Sequence, residues 1–141
     1  MHKKVILATI FSVLILSLMS CSTPQKKFKT DLVGQWKRVG DNAAGIVVKV
    51  EQINNEDSYI GRAVSIPSNV SYYAIPGEIL WQSIVPQSSN QWQGLISQRG
   101  QTFLGDTITE TKNAQLLLVN NDLLEIYIDA SIVKYIRIYT Q

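Results

Sequence analysis

Residues 114–139 read AQLLLVNNDLLEIYIDASIVKYIRIY. The apolar runs Ala114 to Val119 and Leu123 to Ile128 flank Asn120-Asn121-Asp122, side chains that tolerate the backbone of a tight turn. This pattern predicts a β-hairpin. A third run, Ile132 to Tyr139, is long and apolar although Lys134 and Arg137 interrupt it. Left as a free edge, such a strand would template aggregation through its unpaired N–H and C=O groups, and closing the sheet into a barrel removes the edge.

Working outward, the same texture repeats upstream. The segments GIVVKVEQI (45–53) and SYIGRAVSI (58–66) are rich in β-branched and aromatic residues and flank the turn cluster NNED. EILWQSIV (78–85), QWQGLIS (91–97) and TFLGDTIT (102–109) continue the series. Short strands recurring every ten to twelve residues or so, without a helical period, predict an all-β fold. The expected architecture is an antiparallel up-and-down barrel of about eight strands. Only Pro67 to Glu78 reads as a long connection, with two prolines and the pair Tyr72-Tyr73. If that segment is extended, adjacent tyrosines point to opposite sides and at most one faces an interior. A lid or partner contact and a plain surface crossover are both open readings of it.

The N-terminus is of another kind. MHKK precedes fifteen uncharged residues, Val5 to Met19, the layout of a secretory signal peptide. A spanning helix needs roughly 20 apolar residues, which this run lacks. Of 13 basic residues, Lys3 and Lys4 belong to this segment, which leaves 11 against 11 acidic ones. Lys26, Lys27 and Lys29 cluster in PQKKFKT, and beyond Thr30 the balance is mildly acidic. A basic tether before an acidic domain is no nucleic-acid footprint. The lone Cys21 directly follows the apolar run. An odd cysteine in an exported chain forms an intermolecular disulfide, stays a reactive thiol, or is modified.

Position favours modification. Leu18-Met19-Ser20-Cys21 resembles the lipobox of bacterial lipoproteins, in which the cysteine is diacylated and becomes the first mature residue. The resemblance implies a signal peptide over 1–20, lipidation at Cys21, a tether over 21–29 and a domain over 30–141. Two or more acyl chains anchor a protein stably. Ser22 is not the aspartate that resembles an inner-membrane retention signal, so the outer membrane is expected in a host with two membranes.

A second resemblance concerns the domain. Asp31-Leu32-Val33-Gly34-Gln35-Trp36 is similar to the opening of lipocalin-like (calycin) barrels, whose last strand lays an arginine across the Gly-x-Trp tryptophan. Arg137, in Tyr135-Ile136-Arg137-Ile138, stands where that arginine would be. Gly77, Glu78 and Trp81 match a central motif of uncharacterised secreted barrels. The resemblance implies a small apolar or amphipathic ligand, with Tyr72, Tyr73 and Trp81 as candidate contacts and Gly34, Trp36 and Arg137 as structural residues. Read from the residues alone, Trp36, Trp81 and Trp92 are first of all core aromatics, since such rings are usually buried for packing.

Chemistry is sparse. The only histidine, His2, leaves with the signal, so neither a His-assisted nucleophile nor the usual zinc ligands remain. Glu78, Asp106 and Glu110 lack a context that would mark a glycosidase pair. No catalytic residue, metal ligand or cofactor is expected. The expected partners are a membrane, through the N-terminal lipid, and a small ligand. The alternative is a non-enzymatic protein-interaction module of the envelope: an inhibitor, immunity or assembly factor.

Overall fold

The computed structural model describes residues 32–140 except Asn55. The signal peptide, Cys21 and the tether lie outside the described residues. Eight antiparallel strands form a closed up-and-down barrel: β1 (Gly34–Val39), β2 (Val47–Gln52), β3 (Tyr59–Ser65), β4 (Ile79–Pro86), β5 (Gln91–Gln101), β6 (Thr107–Asn120), β7 (Leu123–Ile128) and β8 (Ser131–Ile138). Each strand pairs with its sequence neighbour, and β8 returns to β1 with Trp36 opposite Arg137. Closure leaves the apolar last strand no free edge.

Thr102 to Thr109, read from sequence as a strand of its own, is instead a turn and the first residues of β6. Thr102–Asp106 is closed by hydrogen bonds between Thr102 and Asp106 and from Gly105 N to Thr102 O, with Gly105 at φ +89. The 14-residue β6 takes up Thr107 to Thr109 and the whole of Ala114 to Val119 in one unbroken ladder with β5, while Phe103 and Leu104 fall in the turn. This ladder outruns its neighbours. β5 pairs with β4 only as far as Ile96, and β6 pairs with β7 only from Gln115 onward. Residues 98–110 therefore project as a two-stranded ribbon tipped by Phe103 and Leu104, 103% and 84% exposed.

The connection from Pro67 to Glu78 is neither extended nor a bare crossover. A 3₁₀ turn at Ser68–Val70 folds it, and Val70 and Ala74 are buried in the core. Tyr72 and Tyr73 consequently do not point to opposite sides: their rings lie 4.2 Å apart. The expectation of opposed tyrosines fails because this backbone is turned rather than pleated.

One end of the barrel is packed shut. Trp36, Val50, Tyr59, Trp92 and Leu124 are fully buried there, and Trp36 Nε1 donates to Leu32 O at 2.9 Å. Arg137 covers the end, with its guanidinium carbon 4.2 Å from the Trp36 ring centroid. Its Nη1 donates to Val33 O and its Nε to Asn121 O. Gly34, at φ +138, permits this: a Cβ there would stand 3.2 Å from Arg137 Nη1. The connections β1–β2, β3–β4, β5–β6 and β7–β8 all gather at the opposite end.

Candidate functional site

That second end opens into a cavity of about 280 Å³ between strands of the barrel. Its apolar wall includes Ile46, Leu80, Ile96, Ile126 and Val133. Trp81 and Tyr135 stand in the same wall, ring edge to ring face with centroids 5.1 Å apart. Larger hollows exist on the outer wall, such as one of about 500 Å³ among Gln93, Gln115 and Tyr127. They are more open and lie among outward-facing side chains, so the interior cavity is the better ligand site.

Trp81 reaches the cavity through an irregularity in β4. Strict alternation would turn Ile84 away from the interior if Trp81 faces it. Between Gln82 and Val85 the strand carries one residue more than β5 does, and Ser83 takes φ +50. This β-bulge turns both Trp81 and Ile84 inward. Gly61 on β3 completes the seat: a Cβ there would meet Trp81 ring atoms at 2.8 and 2.9 Å.

The polar lining comes from β1, β5, β6 and β8 and from Tyr73 in the β3–β4 connection. Arg38 and Tyr135 are cross-strand partners on β1 and β8. Asp41 engages Nε and Nη2 of Arg38, the latter at 2.6 Å, and its Oδ1 also caps the turn at Ala43 N. Burial opposes the Arg38 charge, but Tyr135 and Asp41 outweigh it and hold the pKa above its ordinary value. Burial also pushes the Tyr135 hydroxyl up, against a smaller opposing pull from Arg38 and the Trp81 indole. Tyr135 therefore stays a neutral O–H donor. Arg99 Nη2 pairs with Glu78 Oε1 at 2.8 Å, and Glu78 Oε2 accepts from Ile75 N, which ties β5 to the β3–β4 connection. Two side-chain donors in this lining have no hydrogen-bond partner: Trp81 Nε1 and Arg99 Nε.

Of the sequence candidates, Trp81 and Tyr73 line the cavity, and Tyr72 does not. Gly34, Trp36 and Arg137 meet at the closed end, away from it. Arg38, Arg99 and Tyr135 were missed as site residues. Arg38 was within reach, since it lies two residues beyond Trp36 on one strand and so shares its inward face. Arg99 carried no such signal, because its place depends on where β4 begins. Among the described residues no three His, Cys, Asp or Glu side chains gather in a group able to hold a metal. No family model, curated protein or solved structure matches this chain.

Proposed function

We propose that this is a membrane-anchored envelope lipoprotein, attached through Cys21, whose barrel binds a small apolar or amphipathic molecule. The observation that carries the binding reading is the cavity: apolar walls, a few convergent polar groups and one open end are the attributes of a small-molecule site. Its volume equals roughly nine water molecules at about 30 Å³ each, so the ligand is small or leaves its tail outside. The lipocalin-like pairing of Trp36 with Arg137 supports the same reading by analogy of architecture, which is weaker support than the site itself. No catalytic step is proposed.

A second reading, a protein-interaction module, draws on the projecting ribbon. Two large apolar side chains fully exposed at a hairpin tip are unusual on a monomer and suit insertion into a partner's pocket. Native mass spectrometry of the full-length protein purified from its host separates the two readings. A co-purified small molecule, released on unfolding, is the expected result. An empty barrel accompanied by a stoichiometric protein lost on Phe103→Ser substitution would replace the first reading with the second.

A further inference from the structure

The cavity is selective in its hydrogen bonding. Trp81 is fully buried, yet its indole N–H has no partner. Its polar neighbour is the Tyr135 hydroxyl, on which the indole pulls as a weak donor, but the pair does not reach the geometry of a full hydrogen bond. A buried donor left unmet costs roughly 1–3 kcal/mol, so the wall favours whatever brings it an acceptor. Arg99 Nε is a second such donor. Tyr135 and Arg38 add an O–H and a guanidinium beside Trp81. The only carboxylate in the lining, Glu110, is engaged by Lys112 at 3.3 Å. Asp41 and Glu78, which balance the two arginines, are not part of the lining. Charged and unmet groups facing the cavity are thus mainly donors.

We propose that the ligand is a short-chain amphiphile bearing a carboxylate, held head-inward by Trp81 Nε1, Tyr135 Oη and Arg38, with its tail toward the mouth. This rests on the binding reading above and adds the head group and its direction. The direction follows from burial: Trp81 and Tyr135 are buried, whereas Ile108, on the mouth side of the lining, is half exposed. A carboxylate is acceptor-only, and bonds to it are charge-assisted, which makes it a better match than a hydroxyl or an amine. Trp92 Nε1 also lacks a partner, but Trp92 lies outside the cavity lining and is not served by this ligand.

The test uses the full-length chain, ¹⁵N-labelled, titrated separately with octanoate, octan-1-ol and octylamine. Each of the three tryptophans gives one indole N–H resonance. Octanoate is expected to bind about tenfold or more tightly than octan-1-ol, the scale of one charge-assisted hydrogen bond, and octylamine most weakly. It should move the Trp81 indole resonance downfield. Trp36, already bonded to Leu32 O, and Trp92 should stay in place. Trp81→Phe keeps an aromatic ring and removes one of the three donors, so it should narrow the preference for octanoate over octan-1-ol while both still bind. Equal binding of acid and alcohol, or octanoate binding with Trp81 unmoved, overturns the head-group assignment and leaves the cavity reading intact. Binding of none of the three removes the cavity reading as well.

Discussion

Arg137 joins three pieces of chain at the closed end with one side chain. Its face lies on Trp36, Nη1 reaches the carbonyl of Val33 before β1, and Nε reaches the carbonyl of Asn121 in the β6–β7 turn. A planar fork with fixed donors suits this task, and a lysine would reproduce the charge without the geometry. Arg137→Met is therefore expected to cost about 2–3 kcal/mol, the sum of a cation–π contact and charged hydrogen bonds after water competes for them. Arg137→Lys should recover less than half. Urea unfolding followed by tryptophan fluorescence measures both, and a loss below about 0.5 kcal/mol for the methionine variant would show the guanidinium to be ornamental. This pairing was legible in the sequence because two short motifs at the two ends of the domain named their own partner. The Arg38–Tyr135 pair was not noticed, although the same ladder sets it: with Trp36 opposite Arg137, residues two positions on must also face each other across the interior.

At the scale of elements, strands were legible where alternation was clean and turn residues stood between them, as in β7 and β8 with burial alternating along each. Two features escaped. Thr102–Asp106 mixes apolar and small residues in a way that reads as strand, and only its internal hydrogen bonds reveal a turn. The bulge in β4 has no signature of its own, since Ser83 is unremarkable in sequence and adopts a left-handed backbone that glycine or asparagine more often supplies. Yet the bulge decides the site, because it turns Trp81 inward and presses the ring against Gly61. Gly61→Ala should force the ring from its seat, where Trp81 atoms and Val48 Cγ1 all lie within 3 Å of the new methyl position. Overpacking of this kind costs about 1–3 kcal/mol. The expected outcome is lower stability together with altered tryptophan emission and weaker ligand binding. A variant of unchanged stability and emission would mean that the seat is looser than the contacts indicate.

For the molecule as a whole, the barrel has a direction. The chain enters at the packed end, where Leu32 lies buried beneath Trp36, and the cavity and the Phe103-Leu104 tip belong to the other end. Strands of six to eight residues at about 3.3 Å per residue separate the two ends by roughly 20 Å. If Cys21 carries the proposed lipid, the chain runs from the anchor into the closed end at Leu32, and a tether kept short would favour a mouth that faces away from the anchoring membrane. A ligand would then be exchanged with the aqueous space or with a facing surface, rather than with the bilayer that holds the protein. The chain's single cysteine makes this measurable, because acylation of Cys21 leaves any introduced cysteine as the only thiol. Fluorophores at Asn121→Cys, in the closed-end turn, and at Phe103→Cys, on the ribbon tip, would report energy transfer to an acceptor on lipid headgroups in vesicles bearing the anchored protein. Transfer from position 121 should exceed that from position 103, and Cys21→Ser should abolish both by releasing the protein from the vesicle. Equal transfer from the two sites would mean that the barrel tumbles freely on its tether. Stronger transfer from position 103 would turn the molecule over, placing the apolar tip and the cavity mouth against the membrane and making the lipid phase itself the source of the ligand.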